Sequence, residues 1–533
     1  MTDDKTTYRR LGALLLGAAS LVPMKAQQLP PSPQLVVGIV VEGLSNEYLE
    51  LLRNHFTQNG FRRLSEKGVE ISDLEYGTPL DATASTVMLF TGAAPAVNGI
   101  GGSTVYDRQS QRPAPVFNDP ETIGNFTTET LSPKALGTST LSDEFRIASG
   151  GLGYAYAIAP DPDAAIAMAG HAGNSAFWIN DVTGKWSTTT YYKDVPTKVQ
   201  EINRRAPLEY RLDTLAWEPL LPIADYPNLP SYKKAYPFRH AFMRSDPNRI
   251  RAYKNSAAVN TDVTDMAIGY LSSMSLGRRA NPDMLALEYT LAPFTYGRDP
   301  DSRPELMDSY LRLDRDLSRL FAAIDAAGPG MDKTLVFVAG TPMTRRQRRD
   351  DEKWAIPYGE FSSRKAVSLL NMYLMAIYGN GQWVSGYHNS QLFLNHDLIK
   401  ERGQKLEEMR LASARFLERM SGVSHAWSLD EVLARNASEN PEAFRRNTVA
   451  TTAGDIFISI APGWEEIDDD SDTEKPRTVI RAVASTAPAF ILAPQLTPRK
   501  IDTPVDARAI APTVCRLLRI RSPNGASTPP LRL

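Results

Sequence analysis

"PELMDSYLRLDRDLSRLFAAIDAAGPGMDKTLVFVAG", residues 304–340, decides the fold class. Leu306, Tyr310, Leu313, Leu317, Leu320 and Ile324 recur four and three apart, one apolar stripe of a 3.6-residue period, and predict a helix over 304–325. Gly-Pro-Gly at 328–330 stops it. TLVFVAG at 334–340 follows at once, apolar on both faces as a buried parallel strand must be. Runs of the same kind are LVVGIVV in the region of 36–42, GYAYAIA at 153–159, DMLALEY at 283–289 and AFILAP at 489–494. Ile510, Val514, Leu517 and Leu518 line a last helix, with Pro512 tolerable only in its first turn. Strand, helix, strand in this order predicts an α/β fold of three layers, α/β/α, around a mostly parallel sheet. Ligands of such sheets sit at the carboxyl ends of the strands, so candidate chemistry is sought there.

The bulk composition excludes several classes. The chain has 533 residues, long for one ordinary domain but suited to one elaborated α/β unit. Hydrophobic residues at 42% and charged residues at 23% are those of a folded globular protein rather than a disordered one. A net charge of −2 writes in no general attraction to nucleic acid or anionic lipid. Lys5, Arg9 and Arg10 precede the apolar LGALLLGAASLVP and then MKAQQ, the pattern of a secretory signal peptide over 1–26 with cleavage after Ala26. The expected location is periplasmic or secreted, from a Gram-negative cell, with no membrane span after cleavage. The single Cys515 has no partner for an internal disulfide.

Residues 27–533 then read as one domain. Segments of about 186–260, rich in Tyr, Pro and Trp, and about 345–470 read as insertions capping the site. The acidic run DDDSDTE at 468–474 reads as a solvated loop. Arg345, Arg346, Arg348 and Arg349 read either as a binder of an anionic group or as loop arginines paired with Asp350, Asp351 and Glu352. Trp186, Tyr191, Tyr192 and Trp217 give a third reading, a binding face for a small molecule or glycan. DATASTVMLFTG, 81–92, has the look of a strand-to-helix junction beside an active site.

VVGIVVEG, TGAAPAVNGIGG, AGHAGNSAFW, YYKDVPTKVQEINRR, SAAVNTDVTDMAIGYL, DSYLRLDRDL, AIYGNGQWVSGYHNSQLFLN, GDIFISIAPGW and AIAPTVCRLL followed by SPNG occur in that order along nearly all of the chain. Together they resemble the alkaline phosphatase superfamily, in particular the phosphate-irrepressible alkaline phosphatases of Bacteroidetes-type bacteria and the type I phosphodiesterase/nucleotide pyrophosphatase group. The resemblance implies a pair of zinc ions, a Thr or Ser nucleophile and a clamp on the phosphate oxygens. Carried over position by position, the six metal ligands fall on Glu42, Pro293, Gly297, Gly340, Thr341 and Ala487. One carboxylate and no imidazole is a poor zinc set. The nucleophile falls on Ala82, with Thr83 adjacent as a fallback but turned away by a one-residue shift unless the backbone bulges; the clamp falls on Ser103, Asp161 and Asp163. Two carboxylates in place of two cations repel a phosphate dianion. None of the six histidines has a metal-site partner at the spacing required.

The sequence therefore leads us to expect an exported pseudophosphatase: catalytically inactive, without metal or other cofactor, binding an unknown protein or small molecule, with no nucleic acid partner. The alternative is a divergent hydrolase of phosphate or sulfate esters, a phosphomonoesterase or phosphodiesterase with a rearranged site. It would use Thr83, Ser85 or Thr86, with zinc or another cation at Glu42. Glu42 itself reads either as a cation ligand, with Asp81, Asp161 or Asp163 nearby, or as a polar remnant at a cleft rim.

Overall fold

The computed structural model describes residues 32–192, 197–299, 301–343, 357–434, 441–468, 477–478 and 484–533. The predicted signal peptide, the four arginines at 345–349 and nearly all of the acidic run lie outside the described residues.

Seven strands form the middle of an 11-stranded sheet. They are β1 (Leu35–Glu42), β2 (Val69–Glu75), β3 (Ala155–Ile158), β4 (Ser175–Ile179), β5 (Asp283–Thr290), β6 (Thr334–Gly340) and β7 (Thr486–Leu492). Their order is β2-β7-β6-β1-β5-β3-β4. β1 runs parallel to β5 on one side and β6 on the other, and β5, β3 and β4 continue in parallel. The exception is β7, the AFILAP run, which is antiparallel to both β6 and β2. Its apolar residues cannot report direction, because a strand buried on both faces reads alike either way.

Alternation along β1 explains the layers. Val36 and Val40 face one core while Leu35, Val37, Ile39 and Val41 face the other, and all six are fully buried. The first face is covered by α1 (Ala82–Thr91), α2 (Pro162–Ala169) and α5 (Ile510–Leu518), the second by α3 (Ala258–Ser273) and α4 (Arg303–Ala327). α4 is the helix predicted over 304–325. Its stripe from Leu306 to Ile324 is buried throughout, each leucine contributing roughly 2 kcal/mol of apolar burial. Cys515 is buried in α5.

The segment 81–92 is not a strand-to-helix junction. Asp81 accepts from the Ala84 amide as N-cap, α1 runs from Ala82 to Thr91, and Gly92 closes it with φ of 63°. Thr83 through Thr91 are all buried, so no polar face exists to betray the helical period. Trp186–Thr189, within the first predicted insertion, extends the central sheet beside β4. The second insertion carries a four-stranded sheet between Val384 and Ile460, with a core of its own around Leu370, Trp383, Leu392 and Leu417.

Candidate functional site

The carboxyl ends of β1, β3 and β5 meet the amino ends of α1 and α2. Register places Glu42, the last residue of β1, opposite Thr290, the last of β5. Thr290 Oγ1 donates to Glu42 Oε2 at 2.9 Å. Glu288, two residues earlier, shares the face of Met284 and Ala286, the face on which α1 and α2 pack. It is 5% exposed and makes no hydrogen bond among the described residues. Asp161 stands at the N-cap position of α2 after β3 without a side-chain capping bond, Pro162 occupies the first helical position, and Asp163 follows in the first turn.

Thr83 and Asp163 are brought together here. Thr83 sits in the first turn of α1, 6% exposed, and its Oγ1 donates to Asp163 Oδ2 at 3.2 Å. The expectation that a one-residue shift turns Thr83 away assumed a strand, where neighbours point to opposite faces. On a helix the shift is a rotation of about 100°, which keeps Thr83 on the cleft side. Ala82 begins the helix and offers only a methyl group. Ser103 contributes its backbone amide, bonded to Asp81 Oδ2 at 2.7 Å.

Burial, and then the charges of Asp161 and Asp81, push the Asp163 carboxyl up to about 7. Burial also raises Glu42, against the Thr290 bond. Glu288 is held well above the carboxylate range by burial and by Glu42, Asp161 and Asp163. The counter-charge comes from Lys254, 7% exposed at the end of the helix Arg249–Lys254. Its Nζ lies 2.5 Å from Asp161 Oδ1, pairs with Asp181 and donates to the Ile179 carbonyl at 3.1 Å. Burial works against this ammonium, but Asp161 and Asp181 outweigh it and raise its pKa.

The remaining positions do not converge on a metal. Pro293 and Gly297 lie in the loop after β5, where a Cβ on Gly297 would sit 3.5 Å from His240 Cε1 and from the Phe294 ring. A Cβ on Gly340 would come within 2.8 Å of Leu44 Cβ and 3.0 Å of Ala487 Cβ, so the place of the implied Asp is closed by packing. Tyr76 donates from its hydroxyl to the Gly340 carbonyl at 2.5 Å, and Thr341 Oγ1 accepts from the Gly43 amide at 3.3 Å. Among the described residues, no three His, Cys, Asp or Glu side chains are placed to hold a metal ion. The residues present do not fit a zinc pair.

The histidines are engaged elsewhere: His171 with Asp143, His240 with Glu305, His388 with Thr104 and His396 with Asp455. The aromatic binding face also fails. Trp186, Tyr192 and Trp217 are buried, and Trp217 Nε1 donates to Asp308 at 2.6 Å. Glu288 and Lys254 escaped the sequence reading. A carboxylate inside the apolar run DMLALEY was the available signal for Glu288; Lys254, in an ordinary helix, gave none.

This sheet, with a cleft at the carboxyl ends of its strands, defines an alkaline-phosphatase-like α/β protein. A sequence model of the type I phosphodiesterase/nucleotide pyrophosphatase family matches residues 36–481, and the chain belongs to that family. It is 26% identical to alkaline phosphatase PhoV of Synechococcus elongatus over 547 residues, covering 95% of this chain and 94% of that one. It is 25% identical to alkaline phosphatase PafA of Elizabethkingia meningoseptica, covering 94% of each. The crystal structure of wild-type PafA superposes with a TM-score of 0.81 at 23% identity, over 94% of this chain and 99% of that one. These matches overturn the expectation of a catalytically inactive binding or scaffolding protein. The family is one of hydrolases, and the near full-length relatives are named for phosphatase activity. The hydrolytic alternative is the better reading.

Proposed function

We propose that this protein hydrolyses phosphate esters through a rearranged centre in which Thr83 is the nucleophile and Asp163 its general base. The observation that carries the reading is the Thr83–Asp163 hydrogen bond, set between the first turns of two helices at the carboxyl edge of the sheet. In the reaction, Thr83 Oγ forms a bond to phosphorus while its proton passes to Asp163 Oδ2. The ester oxygen departs with the bonding pair and takes that proton from Asp163, which is left ionised. Water then attacks the phosphothreonine, Asp163 accepts its proton and passes it to Thr83 Oγ as the P–O bond breaks, and the Thr83 hydroxyl and inorganic phosphate are regenerated. A base near pKa 7 suits this role at neutral pH. The positive ends of α1 and α2 and the Lys254 ammonium favour the developing charge.

The zinc pair implied by the family is no part of this proposal, since the side chains at its positions do not fit it. Export to the periplasm or medium, on the strength of the amino-terminal leader pattern, belongs to the same proposal. No helix among the described residues is long and apolar enough to cross a membrane.

Elemental analysis and assays on a phosphomonoester and a phosphodiester test the reading on one sample. Turnover without stoichiometric zinc, lost about 100-fold or more in both Thr83→Ala and Asp163→Asn, is expected. Turnover that survives Thr83→Ala would remove the nucleophile.

A further inference from the structure

The cleft holds more carboxyl groups than the chemistry of Thr83 requires. Asp161 stands at the mouth, its side chain 61% exposed, with Glu42, Asp81 and Asp163 along the walls and Glu288 at the floor. The outer part is neutralised by Lys254, which bridges Asp161 and Asp181. Glu288 makes no ion pair with it. Glu288 is buried, faces Glu42 and Asp163, and has no hydrogen-bond donor among the described residues. A buried carboxyl without a donor is costly unless a ligand supplies one.

We propose that this inner pocket, with Glu288 at its floor and Glu42 on its wall, binds the ammonium group of a zwitterionic substrate, a phosphate ester of an amino alcohol. The phosphate half of the proposal rests on the hydrolytic reading; the ammonium pocket does not.

Three observations choose an organic ammonium over a metal ion. The carboxyls surround the cleft from four different chain segments, and no three metal-binding side chains converge on a point. An ammonium needs acceptors spread around it and no fixed coordination number. The cleft already accommodates one such group, the Lys254 ammonium, between two carboxylates and a carbonyl. An ammonium in the inner pocket also gives Glu288 the hydrogen-bond donors it lacks and lies between that carboxyl and Glu42.

The test uses ethanolamine as the bare cation, O-phosphoethanolamine as the zwitterionic ester and glycerol phosphate as the ester of a neutral alcohol. Calorimetry on the full-length mature protein should detect ethanolamine binding, weakened about tenfold or more in Glu288→Gln and also in Glu42→Gln. kcat/KM for phosphoethanolamine should exceed that for glycerol phosphate about tenfold, and this ratio should fall towards one in Glu288→Gln. Thermal melts establish that each variant is folded. Equal kcat/KM for the two esters in the wild type would overturn the proposal, as would calcium binding in place of ethanolamine. Ethanolamine binding that depends on Glu288, with neither ester turned over, would uphold the pocket and sink the hydrolytic reading. Ester turnover with no ethanolamine binding would do the reverse.

Discussion

Asp163 is held where it costs stability. Its carboxyl has a folded-state pKa of about 7 against an ordinary value of 3.8, so the folded state binds the proton more tightly. The stability this gives is complete below about pH 4 and falls as pH rises towards 7. Asp163→Asn should therefore raise the melting temperature at about pH 8, by an amount worth roughly 1–4 kcal/mol, and change it little at about pH 4. Thermal melts at the two pH values check this. Activity should run the other way, rising as pH passes through about 7 and the base loses its proton; a pH–rate profile flat across that range would exclude Asp163 as base. Gly340 makes the complementary case. Gly340→Asp, the residue the family resemblance implies, meets Leu44 and Ala487 at contact distance and brings a carboxylate among apolar groups. It should destabilise the fold by about 3 kcal/mol or more, read as a lower denaturation midpoint, and should not create a zinc site.

At the scale of elements, a buried charge helps to tie down the second predicted insertion. Asp455 accepts from His396 Nε2, Arg410 Nε and the Leu394 amide, each at 2.8 Å, and from Arg108 Nη1 at 3.1 Å. Arg108 follows the hairpin strand Thr104–Asp107, so the contact joins two distant parts of the chain. Burial opposes the carboxylate, but His396 and Arg108 outweigh it and lower its pKa to about 2. Its contribution, about 2 kcal/mol, is present above about pH 4 and lost as pH falls through 2. Asp455→Asn takes the anion from Arg108 and leaves Arg410 only Asp430, and should cost about 3–5 kcal/mol. Hydrogen exchange should quicken first in Gln391–Leu394 and Ile456–Ile460, before β1. Equal loss of protection in β1 would show that the insertion has no separate stability.

Across the whole molecule, legibility followed whether a property was local. The strands around β1 and the helix α4 were readable because burial on both faces, or on one stripe, leaves its mark within a dozen residues. The direction of β7 and the helical state of 82–91 were not, because uniformly apolar segments carry no period. The cleft was half legible. Glu42, Asp161, Asp163 and Thr83 were named only as positions implied by the family resemblance, and the bond that makes a pair of Thr83 and Asp163 spans 80 residues and depends on how two helices pack. Lys254 arrives from an insertion and could be placed only by the fold. Exhaustive chelation offers a test at this scale: treatment with EDTA should leave melting temperature and ester turnover within about twofold of the untreated protein, since no group of metal-binding side chains converges in the described structure. A large loss of either would return a metal to the centre.

The packing of Gly340 against Leu44 and Ala487 has a consequence for how such a centre changes over time. Replacing Gly340 alone would not supply a ligand there, because the space for a side chain is taken up by Leu44 and Ala487. The backbone itself would have to draw apart first. Steric closure of this kind confines reactive side chains to the other half of the cleft, where Thr83, Asp163 and Glu288 lie.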